Sequence, residues 1–484
     1  MLAAPGIVGR EPPGPNDRLA NQMDTVDSEG DIHVLRHAVA DGMPQTVADL
    51  ERLVRIPSIG YPGYDPAHVR ASAEATVDIL RSAGVGDARL LELDGGHPAV
   101  YGEVSGPPDA PTVLLYAHHD VQPEGPADEW QSPPFDPVVR DGRMYGRGAA
   151  DDKSGIVVHA AALRALGVPE GRPLPVTARI VVEGEEECST DHLPDLVQGH
   201  AELLRADVAV VADGGNERTG VPTIGTSVRG ITDCRVTVRV LPIAQHSGAY
   251  GGPIPDAITA LCRMIATLHD DHGEVAIEGL HRFEWTGAPV TEESLREESR
   301  VLDEVELIGS GTVADRLFAK PAVAVLGFDA PGVAGSSNQI VPEASARVSL
   351  RLAPGDDPER ARDALVAHLR AAAPWGVQVE FEADEAGMGY LVDTSTPAYA
   401  AAKSALAEAF DHEVVEMGSG GSVPIVPMLA ATFPGMAVII VGAGDERSNY
   451  HSLDESVDLA DLERLVLAEV LLIRNLGAAA RLVT

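Results

Sequence analysis

The sequence predicts an α/β protein in which a mainly parallel sheet, covered by helices on both faces, is interrupted by a smaller α+β domain. Three observations predict this architecture. Helical segments alternate with continuous apolar strands in the first half of the chain. From about residue 228 the strands alternate apolar and polar residues, as in a half-exposed antiparallel sheet. The strand–helix pattern then resumes near the C-terminus.

The larger domain is predicted from a series of helices and strands with distinct spacing. Helical spacing occurs in TVADLERLVRI, HVRASAEATVDILRSAG and SGIVVHAAALRALG. Continuous apolar strands occur in PTVLLYAHHDV, VTARIVVEGEEE and DVAVVAD, and each ends in His, Asp or Glu. In parallel sheets the chemistry gathers at the carboxyl ends of the strands, so these polar endings are the first candidates for a functional site.

The inserted domain is predicted from two helices and three alternating strands. The strands are GITDCRVTVRV, ASARVSLRLAP and VQVEFEAD, and the helices are PDAITALCRMIATLHD and DPERARDALVAHLRAAA. With 484 residues the chain is long enough for more than one core. We therefore predict a mobile tail over 1–30, a first α/β part over 31–227, the insertion over 228–385 and a second α/β part over 386–484.

Composition excludes several classes of protein. The net charge is −38, from 36 basic and 74 acidic residues, which disfavours binding to nucleic acids or anionic membranes. No apolar run reaches the ~18 residues of a membrane span. The N-terminus lacks the apolar stretch of a signal peptide. Three cysteines without a CxxC pair predict no disulfide framework, so we expect a cytoplasmic protein.

A histidine and an aspartate follow the first apolar strand, in YAHHDVQPE. A single histidine at a strand end is often a capped structural residue. Asp120, two residues after His118, favours another interpretation, because a carboxylate can hold the tautomer and orientation of a metal-binding imidazole. His119 has the opposite strand parity, and we expect it not to be a ligand.

Two adjacent carboxylates, Asp151 and Asp152, follow a Gly-rich turn in YGRGAADDKSG. Such a pair can simply cap the next helix. Asp151 also stands where a strand-to-helix turn presents a carboxylate to a cation. One carboxylate that bridges two metal ions holds them about 3.5–4 Å apart, the spacing that two-metal hydrolysis needs.

Four glutamates lie at the end of the second apolar strand: Glu183, Glu185, Glu186 and Glu187. Runs of glutamate are usually solvated, but we expect this one to extend a buried strand, where the carboxylates would repel one another without cations. Asp213 closes the next strand, and His451 follows the late strand MAVIIVG. Mixed imidazole and carboxylate ligands suit Zn²⁺, Co²⁺ or Mn²⁺ better than Mg²⁺.

Taken together, these motifs resemble the M20 family of metallopeptidases, the carnosinase or glutamate-carboxypeptidase-like family. The motifs are AHHDV, YGRGAADDKSG, EGEEECS, VVAD, QHSGAYGG and YHS, and the resemblance runs from about residue 45 to the C-terminus. It implies a zinc-peptidase-like catalytic domain with an inserted lid domain that dimerises. It also implies two divalent ions, with Zn²⁺ expected and Mn²⁺ or Co²⁺ as alternatives.

The same resemblance implies a role for each matching residue. One ion is held by His118, Asp151 and Asp213, and the other by Asp151, Glu187 and His451. Asp120 orients His118 and supports catalysis, and Glu186 is the general base.

Residues of the lid and of a late Gly-rich motif are implied to bind the substrate. His246 in the HSG motif enters the partner's active site in a homodimer, where it polarises the scissile carbonyl or stabilises its oxyanion. Asn338 also contacts the substrate. Arg351, with Gly421 and Ser422, is implied to receive the substrate's C-terminal carboxylate.

Two features depart from the family's pattern. Ser189 stands where a glycine commonly follows the glutamate motif, and we expect this departure to alter that turn. Carnosinase-type members often carry Arg-Glu before the GGS motif, where this chain has Gly418 and Ser419. The second departure argues against a carnosinase-like preference at the substrate's N-terminus.

The predicted activity is hydrolysis of dipeptides or short peptides with a free C-terminal carboxylate, through a metal-bridging water that Glu186 activates. The small peptide is the expected substrate, and no nucleic acid or membrane is an expected partner. Asp213, where deacylases of the family tend to have Glu, favours a dipeptidase. An N-acyl-amino-acid amidohydrolase is the alternative, and a non-catalytic interaction protein is a remote one that predicts lost ligands.

Overall fold

The computed structural model describes residues 28–188 and 191–481. Most of the predicted tail, residues 1–27, and Ser189 lie outside the described residues. The first described helix begins at Ser28, slightly before the predicted boundary at residue 31. The domain boundaries themselves stay predictions.

The helices vary from single turns to long rods. They are α1 Ser28–Val54, α2 Pro66–Ser82, α3 Lys153–Ala165, α4 Leu193–Val197, α5 Ala201–Leu204, α6 Ser247–Tyr250, α7 Ala257–Ile265, α8 Glu292–Ser299, α9 Pro358–Ala371, α10 Pro397–Phe410, α11 Ile425–Thr432 and α12 Leu459–Arg481. Among the described residues, no helix is both long enough and apolar enough to cross a bilayer.

The strands are short to medium in length. They are β1 Arg89–Leu91, β2 Ala99–Val104, β3 Thr112–His118, β4 Val138–Arg140, β5 Arg143–Tyr145, β6 Thr177–Glu183, β7 Val208–Val211, β8 Thr223–Val228, β9 Gly230–Arg239, β10 Gln245–His246, β11 Ala322–Asp329, β12 Gln339–Ile340, β13 Glu343–Leu352, β14 Gln378–Gly387, β15 Tyr390–Leu391, β16 Val415–Gly418, β17 Ala437–Ile440 and β18 Ser456–Asp458.

The larger sheet has the predicted parallel centre. Its order is β1-β2-β6-β3-β7-β17-β8-β15, with β16 beside β8. The four adjacent strands β6, β3, β7 and β17 run parallel to one another, and antiparallel strands flank them. The central strands are buried along most of their length because helices cover the sheet. Their carboxyl ends therefore meet at one edge.

The smaller sheet is antiparallel, in the order β11-β13-β9-β14. Side chains at the even-numbered positions of β9 and β13, such as Val236 and Val348, lie in one hydrophobic core. Leu261 of α7 and Leu365 of α9 belong to the same core. This confirms the predicted α+β unit of two helices on an antiparallel sheet. The fourth strand, β11, was not predicted. It lies at the edge of the sheet and is largely exposed.

A buried histidine fixes the strand that carries His118. The ring of His159 on α3 places Nδ1 2.8 Å from Oε2 of Glu469 on α12 and Nε2 3.0 Å from the carbonyl oxygen of Tyr116 on β3. Both neighbours are acceptors, so the ring satisfies both only as an imidazolium. Accordingly, Glu469 raises the pKa of His159 although burial opposes this. The pair joins two helices to the centre of the sheet.

Candidate metal centre

Six polar side chains meet at the carboxyl edge of the parallel strands. They form two groups, and within each group the candidate ligand atoms lie within 4.8 Å of one another. The groups are His118, Glu186 and Asp213, and Asp151, Glu187 and His451. All six were predicted from the sequence as ligands or as the base. The fold thus brings together residues separated by more than 300 positions.

Asp151 lies between two histidines. Its Oδ1 is 3.0 Å from Nε2 of His118, and its Oδ2 is 3.1 Å from Nε2 of His451. Asp152 has a different task, because its carboxylate caps α3 through the amide of Gly155. The sequence left open whether these aspartates cap a helix or face a cation. Asp151 lies at the site, and Asp152 caps the helix.

The contacts of His118 select its tautomer. Its Nδ1 is 3.1 Å from the carbonyl oxygen of Asp120 and 3.5 Å from Oδ1 of the same residue. Because a carbonyl oxygen only accepts, Nδ1 is the donor, and the lone pair of a neutral ring lies at Nε2, which faces Asp151. His119 points elsewhere and donates from Nε2 to the carbonyl of Pro98.

The glutamate run does not extend the strand as predicted: β6 ends at Glu183. The chain turns there because the amides of Glu186 and Glu187 donate to the two carboxylate oxygens of Asp120, at 3.2 and 3.0 Å. This turn aims both side chains at the centre. Glu183 instead accepts from the hydroxyl of Tyr116, and Glu185 contacts His192.

Like charges crowd the centre. Burial and the charge of Asp151 raise the pKa of Asp213 to about 7. Burial and Asp213 raise the pKa of Glu186 well above its usual range, and burial and Asp151 raise the pKa of Glu187. Burial acts to raise the pKa of Asp151, but the neighbouring rings of His118 and His451 outweigh it and lower this pKa. Bound cations would relieve this repulsion, so the donor set fits divalent metal ions.

A glutamate that the sequence analysis missed holds the turn before Asp151. Oε1 of Glu455 accepts from the amides of Ala150 and Asp151 at 2.9 and 3.1 Å. Oε2 accepts from the amide of Gly148 at 2.9 Å and from Nη1 of Arg147 at 2.7 Å. Glu455 is fully buried. Every partner is a donor, so the site requires a carboxylate with two accepting oxygens.

Further contacts of Arg147 and Glu455 hold the loop of His451 against the Asp151 turn. Nη2 of Arg147 donates to the carbonyl oxygens of Ser452 and Pro123, and the amide of Gly146 donates to the carbonyl oxygen of Glu455. In the sequence, the role of Glu455 was indicated only by its position in the same motif as His451, YHSLDES. Periodicity alone does not distinguish such a glutamate from a solvated one.

The structure brings two predicted carboxylate-binding residues together. Nη1 of Arg351 on β13 donates to Oγ of Ser422 at 2.8 Å. The adjacent turn is held at Gly421, whose carbonyl oxygen accepts from the amide of Arg229 at 2.9 Å. This contact joins the smaller sheet to the Gly-rich loop that follows β16.

The other two predicted lid residues lie apart from the metal centre. His246 and Asn338 are both exposed, and they are neighbours, because the carbonyl oxygen of Asn338 accepts from the amide of Ser247. Among the described residues, no hydrogen bond or ion pair joins either residue to the two ligand groups. Nδ1 of His246 accepts from the amides of Gly248 and Ala249 at 3.1 Å each.

A cavity of about 420 Å³ reaches from the metal centre to the Gly-rich loop. Asp213 lines one part of it, and Gly420 and Gly421 line another. Apolar side chains such as Leu295 and Phe318 from the smaller domain contribute to its wall.

Gly418 has no room for a side chain. A Cβ at this position would come within 2.8 Å of Trp285 and Phe318 and 2.7 Å of Ser227 Oγ. The two aromatic rings pack with their centroids 4.9 Å apart. They take the space where an arginine of the carnosinase type would have to pass, which accounts physically for the departure at this position.

Comparison with known proteins identifies a matching family and matching enzymes. A profile of the peptidase family M20/M25/M40 matches residues 114–475. A cysteinylglycine-S-conjugate dipeptidase of Corynebacterium striatum is 37% identical over 366 residues, which cover 75% of this chain and 80% of that protein. The human Beta-Ala-His dipeptidase is 26% identical over 384 residues, covering 75% of this chain and 74% of that protein.

Solved structures share the fold. The dipeptidase Dug1p from Saccharomyces cerevisiae superposes with a TM-score of 0.78 at 20% identity, covering 92% of this chain and 98% of that one. Human carnosine dipeptidase 1 superposes with a TM-score of 0.80 at 21% identity, covering 92% and 99%. Both superpositions cover the mainly parallel sheet and the inserted α+β unit, and they support the fold described above.

The contacts of Glu455 predict that Glu455→Gln weakens metal binding. A glutamine must turn its NH₂ group toward two donors, whichever way its amide is oriented, and this displaces the Asp151 turn. We expect the affinity for Zn²⁺ to fall about 10–100-fold, as for other residues that orient ligands. Calorimetric titration of the metal-free protein measures this.

Asp454→Asn is the matched control, since it changes a neighbouring carboxylate that contacts Gln131 instead of the Asp151 turn. Its metal affinity should equal that of the wild type. Equal affinities for all three proteins would contradict the role given to Glu455.

Proposed function

The chain belongs to the peptidase family M20/M25/M40, and we propose that it is a dinuclear metal-dependent dipeptidase. Its substrates are dipeptides or short peptides with a free C-terminal carboxylate. The observation that carries this proposal is the position of Asp151, whose two oxygens face two different histidines. A carboxylate in this position suits a bridge between two ions.

We propose the ligand sets that the family resemblance implies, and the two contacts of Asp151 support its place in both sets. His118, Asp151 and Asp213 would hold one divalent ion, and Asp151, Glu187 and His451 would hold the other. Zn²⁺ is the metal we propose, with Mn²⁺ or Co²⁺ as alternatives, because nitrogen and oxygen donors are mixed. When bound, the ions would polarise the scissile carbonyl and lower the pKa of the attacking water.

Glu186 is proposed as the general base. Its carboxylate lies within 4.8 Å of candidate ligand atoms of His118 and Asp213. Asp120 holds the backbone amide of Glu186 and thereby fixes its orientation. Burial is the largest cause of the raised pKa of Glu186, and a buried carboxylate suits a group that takes a proton from water and returns it to the leaving amine.

His246 is proposed to stabilise the oxyanion. Its Nδ1 accepts two backbone N–H bonds, so the neutral ring has its proton on the exposed Nε2 and can donate from there. The smaller domain already contacts the larger one, for example where the amide of Ala288 donates to the carbonyl of Glu416. His246 is exposed in this arrangement, which supports a role in a partner's site.

The exposed edge strand β11 supports the proposed homodimer. Leu326 and Phe328 on this strand are 59% and 41% exposed, and Val333 in the following loop is 93% exposed. Unpaired edges with apolar side chains are ready surfaces for pairing with another chain. Two-fold pairing through this domain would let each His246 serve the other site.

The substrate class is supported by the cavity and its ends. Asp213 lies at the metal centre, and Gly420 and Gly421 lie in the loop that Arg351 and Ser422 flank. This distribution suits a short peptide whose scissile bond is at the metals and whose carboxylate is at Arg351. The names of the relatives, which include a cysteinylglycine-S-conjugate dipeptidase, support a dipeptide over an N-acyl amino acid.

The proposal that Glu186 is the base and not a metal ligand predicts the metal content and turnover of Glu186→Gln. This variant should bind two ions like the wild type but turn over dipeptides ~10²–10⁴-fold more slowly, because only the base is lost. Steady-state kinetics and metal analysis measure the two effects separately. Chelated wild type should be inactive and regain activity with Zn²⁺, Co²⁺ or Mn²⁺.

Glu187→Gln is the matched control and should lose metal. If Glu186→Gln lost metal and Glu187→Gln did not, the two roles would be reversed. A panel of dipeptides and N-acetyl amino acids separates the dipeptidase from the deacylase, and faster hydrolysis of the N-acetyl compounds would contradict the dipeptidase.

The proposed binding of the substrate's carboxylate by Arg351 and Ser422 predicts a preference for peptides whose C-terminal carboxylate is free. We expect kcat/KM for a dipeptide to fall about 10–100-fold when its C-terminal carboxylate is amidated, because Arg351 loses a charge-assisted hydrogen bond. Assays of the acid and amide forms of one dipeptide measure this. Equal values would refute the preference.

The proposed dimer predicts that two inactive variants complement each other. His246→Ala and Glu186→Gln subunits, mixed equally and allowed to exchange, should regain about a quarter of wild-type activity per subunit. Half of the dimers are then mixed, and each has one complete site.

The double variant His246→Ala/Glu186→Gln, mixed with either single variant, is the control and should regain nothing. Verified exchange without recovered activity, or an active monomer, would show that His246 does not act in trans.

A further inference from the structure

Arg229 is a buried cation without a matching anion. It lies just before β9 and is 4% exposed. One of its terminal nitrogens donates to the carbonyl oxygen of Lys320, whereas its Nε has no hydrogen-bond partner. Among the described residues, no carboxylate forms an ion pair with Arg229. A buried charge without compensation is unfavourable, so this position needs a reason.

The strand register places Arg229 beside Arg351. Ile231 on β9 pairs directly with Arg351 on β13, and side chains two residues apart on a strand share a face. Arg229 lies one residue before β9, and continuing the alternation of this strand sets it on the same face of the smaller sheet as Arg351, opposite the helices. Consistent with this placement, burial and the charge of Arg351 lower the pKa of Arg229 to about 10.

Both arginines also contact the Gly-rich loop. The backbone amide of Arg229 donates to the carbonyl oxygen of Gly421, and Arg351 donates to Oγ of Ser422. The guanidinium of Arg351 and the backbone of Arg229 thus meet at the same loop, close to the hydroxyl of Ser422. An anion placed between the two guanidinium groups would offset their repulsion and give Nε of Arg229 an acceptor.

We propose that Arg229 and Arg351 together form a two-cation subsite for the C-terminal carboxylate of the substrate. Arg351 binds the carboxylate together with Ser422, and Arg229 supplies the second charge that makes the site reject a neutral amide. This inference rests on the proposed dipeptidase function and adds a specificity-determining residue to it.

The test compares the acid and amide forms of one dipeptide in three variants. Arg229→Gln removes the charge but keeps a donor for Lys320. Arg229→Lys keeps the charge. Arg235→Gln is the matched control, because Arg235 has the same strand parity as Arg229 on β9 but its side chain is 53% exposed.

We expect Arg229→Gln to raise KM for the acid form about 10–100-fold, with a smaller change in kcat. The amide form should be hydrolysed as by the wild type, so the preference for the acid collapses. Arg229→Lys should keep most of the preference, and Arg235→Gln should keep all of it. A merely structural Arg229 would instead reduce the hydrolysis of both forms equally.

The proposal is overturned if Arg229→Gln keeps the wild-type preference or slows both forms alike. Absence of dipeptide hydrolysis by the wild type would refute the proposed function instead. The subsite is then tested by calorimetric binding of leucine and leucinamide. Weaker leucine binding by Arg229→Gln than by the wild type supports the subsite, and equal binding refutes it.

Discussion

Asp151 is the carboxylate around which the centre is arranged, because each of its oxygens faces a different histidine. His118 comes from the end of β3, and His451 comes from a loop more than 300 residues later. Asp151 can face both only if its own turn is held firmly. Glu455 holds it through three backbone amides, and Arg147 balances the buried charge of Glu455. The geometry of the ligands thus depends on a buried ion pair behind them.

Charge also explains the chemistry available at this edge of the sheet. Burial and the crowding of like charges raise the pKa values of Glu186 and Asp213. The repulsion favours the binding of cations, and the burial favours a group that accepts a proton. The turn that carries Glu186 is itself held by Asp120, which also lies beside His118. One aspartate therefore orients both a proposed ligand and the proposed base.

The smaller domain contributes positive charge where the larger one contributes negative charge. Arg351 and Arg229 stand beside the Gly-rich loop, and the cavity extends from that loop to Asp213. A peptide has the matching asymmetry, with a polarisable carbonyl at one point and an anionic carboxylate at its end. The aromatic pair Trp285 and Phe318 fills the space beside Gly418, and Phe318 also contributes to the wall of the cavity.

The sequence alone determined the parallel strands, the α+β insertion and the polar strand ends, because periodicity and strand order decide which edge collects His118 and Asp213. The resemblance to a known family separated Glu186 and Glu187 from the other glutamates. Only the tertiary structure decided that Asp152 caps a helix, that the glutamates follow a turn, that Glu455 holds the Asp151 turn, and that Arg229 is buried next to the Gly-rich loop. A local pattern records whether a side chain is buried. Which charges meet across hundreds of residues depends on packing and register, and no short segment of the chain contains that information.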